Sequence, residues 1–436
     1  MQALSLRFRF SGKLADLSDA DSALLFDRTS LRDPIIGNVV AKIIERVRAR
    51  GDSALRELAG ELDGVSLEEI EVPATRLEAA LDRLPRALRR AMSRSVTNLE
   101  RVHSGFMPTP TEIEVEPGVI VGRRPDPLDR VGVYAPGGSA AYASSVLMGA
   151  IPARSAGVRE IVLCSPPGPD GFPADIVLGA ARISGVHRVF ALGGSGAIAA
   201  MALGTDTVPR VDRIVGPGNA YVAEAKLQLA GSVGIDSPAG PSELLIIADE
   251  LANAECIAGE AVAQAEHDAR AIVVVLAVGR DNAARIADAI ATAVESAPRR
   301  DTIIQSFSGK GGVLQVEDIG AAIEASNHFA PEHLLIATSN PDAVLSRVRN
   351  AGTVFLGETS SVVFGDYVTG ANHVLPTGGL ARSYSGLSTL DYFRWTTYQR
   401  VSRNAATALS DDAAIFAESE GLASHASAAR AAGAGR

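Results

Sequence analysis

A few short segments of this 436-residue chain carry residue types that can move protons or hold a cation. Glu332 and His333 stand side by side, after Pro331 and before the apolar run Leu334-Leu335-Ile336. A carboxylate beside an imidazole at a loop-to-strand junction suits a proton-transfer pair, because an unperturbed imidazole titrates near neutrality, at about 6.5. Spacing alone favours the plainer reading, an exposed polar pair ahead of a strand. Gln264 and His267 close an Ala-rich helical stretch, and their i, i+3 spacing sets both on one helix face. Two such heads could share a cation, although an amide is an uncommon ligand; a solvated helix end is the ordinary alternative. The pattern is not HExxH, which excludes a zincin-type protease. Asp366 lies in Phe364-Gly365-Asp366-Tyr367, inside a Gly-rich polar stretch that continues through Asn372-His373-Val374-Leu375-Pro376-Thr377. A lone Asp in such a stretch reads first as a turn former. Glu420 and His425 are five apart, about 140° around an unbroken helix. They share a face only if Gly421 interrupts that helix.

The elements that must position these residues alternate between strand and helix. To about Thr111 the chain reads as helical: Val39, Val40, Ile43, Ile44 and Val47 follow helical spacing, Gly51-Asp52 stops them, and a second helix covers about Thr75–Leu84. Ile113–Val121 alternates around Glu116-Pro117-Gly118, a hairpin signal. From Arg130 the pattern becomes strand, Gly-rich turn, helix, four times over: Val131–Tyr134, Glu160–Cys164, Arg188–Leu192 and Arg213–Val215 are the strands. A second series follows, with strands at Leu244–Ala248, Ala271–Ala277, Leu334–Ile336 and Thr353–Leu356, and helices at Asn253–His267 and Asp281–Val294. Residues from about 388 onward read as helices. This alternation predicts an α/β fold with parallel sheets.

Open α/β sheets bind ligands outside the C-terminal ends of their strands. Four such ends carry Gly-rich turns here. Gly194-Ser195-Gly196-Ala197-Ile198-Ala199 even fits G-x-G-x-x-A. The dinucleotide fingerprint also needs an acidic residue closing the next strand, and Asp212 instead precedes its strand. A tight turn without that function is the competing reading.

Composition narrows the classes further. With 41 Lys+Arg and 51 Asp+Glu, the net charge is 41 − 51 = −10, with no basic block, so a nucleic-acid partner is not expected. The 47% hydrophobic content against 21% charged excludes a disordered chain. Only Cys164 and Cys256 are present, too few for a disulfide framework or a cysteine-built zinc site. Both read as buried, and nothing in the sequence supports a bridge between them. Any metal site must therefore rely on His, Asp, Glu, Gln or water. No secretory h-region and no apolar run of the ~18–20 residues needed for a bilayer span is visible, so the expectation is no membrane and a cytoplasmic protein.

Taken in order, the segments Val131–Ser139, Gly216-Pro-Gly-Asn-Ala-Tyr221, Ala239-Gly-Pro-Ser-Glu243, Gln264-Ala-Glu-His267, Ala330-Pro-Glu-His-Leu334, Gly365-Asp-Tyr367 and Asn372–Thr377 resemble the histidinol dehydrogenase family, from about residue 30 to the C-terminus. Each is weak alone; the ordered set is specific. The resemblance implies a four-electron, NAD-dependent oxidation of L-histidinol through the aldehyde to L-histidine, in amino-acid biosynthesis. It implies one Zn²⁺ per subunit held by Gln264, His267, Asp366 and His425. It makes His333 the base and Glu332 the residue that activates water. Ser242, Gln264, His267, His333, Asp366, Glu420 and His425 would surround the substrate, and Tyr134, Gly196 and Asn219 would bind NAD. The family commonly has Gln where this chain has Gly196, which removes one side-chain contact. The implied fold is two incomplete Rossmann-like parallel-sheet domains with smaller helical extensions. Its parts would be residues 1–24 packing with the C-terminal part, 25–129 with 238–380, 130–237, and 381–436 reaching a partner in a homodimer with shared sites. The other readings are a related zinc-dependent dehydrogenase of the same family, such as one acting on sulfopropanediol, and, more distantly, a zinc hydrolase using Glu332 as base. His103, His187, His328 and His373 keep ordinary readings, although His373 falls within a matching segment.

Overall fold

Strands with both faces buried are written as continuous apolar runs, and the two parallel sheets of this chain follow that rule. The computed structural model describes residues 5–28, 33–137 and 141–435; Gly138 and Ser139 of the Val131–Ser139 segment lie outside the described residues. The chain opens with β1 (Phe10–Lys13) and α1 (Asp19–Phe26), the latter capped by Ser18, whose hydroxyl oxygen accepts from the Asp21 N–H. α2 (Pro34–Leu58) buries Val40, Ile43, Ile44 and Val47. At Gly51, φ 49° and ψ −128° leave the helical region, so the first helical run stops there as expected, and a second run continues from the kink to Leu58. α3 (Ala74–Arg83) and α4 (Arg86–Gly105) are entered through Pro73 and Pro85. β2 (Thr111–Glu116) and β3 (Val119–Pro127) form the expected hairpin.

Next come β4 (Arg130–Tyr134), α5 (Ala143–Ala156), β5 (Glu160–Ser165), α6 (Asp175–Ser184), β6 (Arg188–Ala191), α7 (Gly194–Leu203), β7 (Arg213–Val215), α8 (Ala220–Leu229) and β8 (Gly234–Ile235). They build a five-stranded parallel sheet in the order β6-β5-β4-β7-β8. The second series is β9 (Glu243–Ala248), α9 (Ala254–Ala265), β10 (Ile272–Val278), α10 (Arg280–Glu295), α11 (Arg300–Lys310), β11 (Gly312–Val316), α12 (Ile319–Phe329), β12 (His333–Ala337), α13 (Pro341–Leu345), β13 (Thr353–Leu356) and α14 (Val362–Tyr367). Its sheet is six-stranded and parallel, in the order β1-β11-β10-β9-β12-β13. Alternate residues of β9 and β10 feed two separate buried clusters: Leu244, Ile246, Val273 and Val275 join one, and Leu245, Ile247, Val274 and Leu276 the other. Both sheets are open parallel α/β layers, the Rossmann-like class expected.

The chain ends with β14 (Phe393–Val401), α15 (Arg403–Ser419) and α16 (Ala423–Gly433). By compactness the chain forms two units. One holds residues up to Phe106 and Asp129–Tyr392; the other holds Met107–Leu128 with Phe393–Arg436. In the second unit β14 pairs antiparallel with β3 along its whole length, so the hairpin joins C-terminal sequence and not the 25–129 segment to which it was assigned. The expectation of helices alone after 388 misses β14. The N-terminal residues also depart from expectation. β1 extends the six-stranded sheet by pairing with β11, and Phe10 is buried in its core, so residues 10–13 belong to the first unit and not to the C-terminal part. Cys164 is buried and unbridged as expected, whereas Cys256 is exposed on α9. Among the described residues, no helix is long and apolar enough to cross a membrane.

Candidate active site

Glu332 and His333, the candidate acid–base pair, stand where β12 begins. His333 lies in register with Leu244 of β9 and Thr353 of β13, at the N-terminal edge of the six-stranded sheet. This departs from the rule that ligands gather at C-terminal strand ends. The crossover explains it: α9 runs back between the parallel strands β9 and β10, so its last turn, with Gln264, returns to the edge from which they start.

The main chain of Glu243 holds both members of the pair. Its N–H donates to Glu332 Oε2 at 2.7 Å, and its carbonyl lies 3.0 Å from His333 Nδ1. A carbonyl can only accept, so Nδ1 carries a proton, and whenever the ring is neutral its lone pair lies at Nε2. That Nε2 is buried without a hydrogen-bond partner and lies 3.8 Å from Asp366 Oδ1. Glu332 Oε2 is 3.5 Å from Nδ1. Burial alone would push the His333 imidazolium down. The carboxylate of Glu332, with Asp366 behind it, outweighs that and raises it to about 9.

Gln264 of α9 and Asp366 of α14 are both buried. The first N–H of α14, at Val362, donates to Glu260 of α9 at 3.1 Å, which ties the two helices together one turn before each of these residues. The Nε2 of Gln264 has no partner. His267 falls two residues past the end of α9 and is exposed, so the single shared helix face expected for Gln264 and His267 does not form. Ser242 is half-buried and immediately precedes Glu243. Glu420 and His425 belong to the second unit. Gly421, at φ 76°, breaks the helix between them, as a shared face would require, and both are exposed.

His373 was given no role by its spacing, yet it is tied into this site. Its Nδ1 lies 2.9 Å from the Asp366 carbonyl and its Nε2 3.3 Å from Ser145 Oγ, on the first turn of α5. Asn372 beside it donates to the Met148 carbonyl at 2.8 Å. The one signal in the sequence was membership of the Asn372–Thr377 segment. Glu243 likewise had only its place at the end of the Ala239–Glu243 segment, and Arg28 carried no signal.

Tyr134, Gly196 and Asn219 all lie at the C-terminal edge of the five-stranded sheet. The Tyr134 hydroxyl accepts from the Gly194 N–H at 3.0 Å, at the start of α7. The Asn219 side chain accepts from the Tyr221 and Val222 N–H groups and caps α8. α7 has no side-chain cap, so its first turn leaves N–H groups for an anionic ligand. A Cβ on Gly196 would stand 3.3 Å from the Leu58 side chain of α2, which would have to give by a few tenths of an ångström. Asp212 accepts from the Arg130 N–H at the other end of these strands, which removes the G-x-G-x-x-A segment from the usual fingerprint.

For a cation the chain offers oxygen and nitrogen donor types: the Gln264 amide, the buried Asp366 carboxylate and the exposed His267. These fit a borderline ion such as Zn²⁺. Among the described residues no group of three or more His, Cys, Asp or Glu is arranged to hold a metal ion.

The family model for histidinol dehydrogenase matches residues 27–432. A histidinol dehydrogenase of Methanothermobacter thermautotrophicus is 46% identical over 394 residues, 90% of this chain and 92% of that protein. One of Chromobacterium violaceum is 43% identical over 424 residues, 97% of each. The crystal structure of histidinol dehydrogenase from Elizabethkingia anophelis superposes with a TM-score of 0.93 at 33% identity, covering 98% of both chains. Matched along nearly its whole length in sequence and in fold, the chain belongs to the histidinol dehydrogenase family.

Proposed function

We propose that this chain oxidises L-histidinol to L-histidine through the bound aldehyde, with NAD⁺ accepting a hydride at each of two steps. The observation that carries the reading is the buried Glu332–His333 pair, held by one residue's main chain with His333 Nε2 left free. Nε2 takes the hydroxyl proton of the alcohol as the hydride leaves its carbon. Glu332 then takes a proton from the water that adds to the aldehyde while His333 returns its proton to the aldehyde oxygen, which gives the hydrate and frees Nε2; Nε2 then accepts a hydroxyl proton of that hydrate as the second hydride leaves to a second NAD⁺. The proton accepted at Nε2 is stabilised by both neighbouring carboxylates, Glu332 and Asp366. The low accessibility of this edge keeps the aldehyde from bulk water between the steps.

Gln264, His267 and Asp366, with His425 contributed by a second copy in a homodimer, would hold the Zn²⁺. When bound, that ion orients the substrate through its amino and imidazole nitrogens and offsets the negative charge around His333. Ser242 and Glu420 would contact the substrate. Tyr134, the first turn of α7 and Asn219 would receive the nucleotide.

Replacing His333 by Asn, which can still donate to the Glu243 carbonyl, tests this. The expected result is a fall in kcat of about 10²–10⁴-fold with zinc content unchanged. Full activity, or loss of zinc, overturns the role. Turnover of sulfopropanediol in preference to histidinol would support the related dehydrogenase, and turnover indifferent to NAD⁺ would support a hydrolase; the close relatives named above favour neither.

A further inference from the structure

We propose that Arg28 and Glu243 form a buried ion pair that positions the Glu332–His333 dipeptide for catalysis. The inference rests on reading that dipeptide as the acid–base pair.

Arg28 Nη1 lies 3.1 Å from Glu243 Oε1, and the two side chains are only 1% and 2% exposed. Removing two charges from water costs several kcal/mol per ion, and replacing such a pair by apolar groups is often neutral or stabilising. A buried pair at this point therefore calls for a reason other than stability, and its contacts supply one. The Glu243 carboxylate accepts from the Gly378 N–H at 2.9 Å, which fixes the side chain from a second direction. With its side chain held, the main chain of Glu243 presents its N–H to Glu332 and its carbonyl to His333. Arg28 is itself held on the other approach to the dipeptide. Its guanidinium carbon lies 3.2 Å from the centroid of the Phe329 ring, and its Nη2 donates to the Phe329 carbonyl. Phe329 ends α12, and Ala330 turns the chain at φ 52° directly before Pro331-Glu332-His333. Arg28 thus clamps the end of α12 to the start of β9, the two places from which the catalytic dipeptide is suspended. Neither residue faces the reacting atoms. Both act through Glu243's peptide groups.

A planar guanidinium can stack on Phe329, donate to the Phe329 carbonyl and keep its charge beside the Glu243 carboxylate; an ammonium cannot do all three. Arg28→Lys should keep the charge and lose part of the geometry.

The test compares full-length wild type with R28Q, E243Q, R28K and the double variant R28Q/E243Q, with H333N in parallel. Histidinol oxidation is followed with zinc content and thermal midpoint measured on each preparation. A misplacement near 1 Å lowers turnover by about 10²-fold, so R28Q and E243Q should each lose about that in kcat. Their KM for histidinol should move less than about threefold, because binding contacts are not removed. The double variant should lose no more than either single one, since both changes break one device. R28K should recover about tenfold of the loss. Wild-type kcat in either charge-removing variant, or losses that multiply in the double, overturns the proposal. Should R28Q not fold, R28K and the double variant, which leaves no unpaired charge, decide on the same criteria. An inactive H333N beside fully active R28Q and E243Q refutes only this positioning role. An active H333N refutes the acid–base reading beneath it.

Discussion

Gly352 has no chemistry of its own, yet its replacement by Ala should damage catalysis more than most changes outside the acid–base pair. It lies one residue before β13, where its N–H donates to the Pro331 carbonyl at 2.9 Å and the next N–H, of Thr353, donates to the Glu332 carbonyl at 2.9 Å. A Cβ added at 352 would stand 2.5 Å from the Glu332 carbonyl oxygen, 3.3 Å from its carbon and 3.4 Å from its Cα. Ordinary contact begins at 3.4 Å, so the chains must part by 3.4 − 2.5 = 0.9 Å. The obstacle is main chain, which no rotamer change relieves, and it belongs to the residue beside the base. A shift near 1 Å in a catalytic group costs about 10²-fold in rate, or about 2.7 kcal/mol of barrier. The assay is steady-state NADH formation from histidinol, with thermal midpoint and zinc content recorded on the same samples. Gly309→Ala is the control. It lies within α11 with nothing inside 4 Å of an added Cβ, so it should leave kcat unchanged and stabilise the helix by about 0.5–1 kcal/mol. A Gly352→Ala enzyme with kcat within about threefold of wild type would refute the reasoning, because it would mean that strand spacing at Glu332 does not govern the pair.

Three further outcomes are expected. His103 is buried with both ring nitrogens unpaired, and burial pushes it down to about 4. It therefore binds its proton more weakly folded than unfolded, and stability falls as pH drops from about 6.5 toward 4, by up to about 3 kcal/mol. Urea midpoints across that range should depend less on pH in His103→Leu, and parallel profiles would count against it. Lys226 donates to the Gly216 carbonyl at 2.9 Å and is paired with Asp236, whose Oδ2 accepts from the Gly216 N–H at 2.7 Å, so one glycine of the nucleotide-side turn is held by both. Lys226→Met leaves Asp236 buried and unpaired. It should cost about 3–5 kcal/mol and raise KM for NAD⁺ more than for histidinol; an unchanged urea midpoint refutes it. On the shared-site reading, His425→Ala should lose zinc on dialysis, and mixing it with His333→Ala chains should restore activity through hybrid dimers. Full zinc retention, or no recovery in confirmed hybrids, contradicts that reading.

The parallel strands were legible because each buries both faces and so reads as an apolar run: Ile161–Leu163 and Leu244–Ala248 are fully enclosed. Most strands missed lack such a run; β11 is missed although nearly all of it is buried, because Gly312 and Gln315 leave it only Val313-Leu314 and Val316 as apolar residues. β1 buries only Phe10 of its four residues, β8 has two residues, and β14 lies in an antiparallel layer with mostly exposed side chains. Cys256 was misjudged because an Ala-rich helix gives little indication of which face is inside. At the site, residue types and family segments singled out Glu332, His333, Gln264 and Asp366. The residues that arrange them were hidden for a physical reason. Glu243 acts through its peptide groups on a side chain 90 positions away, Arg28 reaches a carbonyl 301 positions away, and His373 reaches Ser145 across 228. Main-chain contacts leave no mark on residue type, and separations of that size leave none on spacing.

The two sheets solve a single placement problem. A hydride must leave a carbon whose hydroxyl touches the base, so base and acceptor must approach the carbon from different sides. One parallel sheet cannot readily supply both approaches from one edge. Here the acid–base pair hangs from the N-terminal edge of the six-stranded sheet, while the uncapped turn of α7 and the cap of α8 stand at the C-terminal edge of the five-stranded one. His373 joins them: one ring nitrogen meets the Asp366 carbonyl and the other meets Ser145, at the start of the helix that follows β4. The missing Rossmann fingerprint is then consistent with the task. On the proposed NAD-dependent reading, the five-stranded sheet would need only enough helix N-terminus to present the nucleotide to a substrate whose position is set by the other sheet.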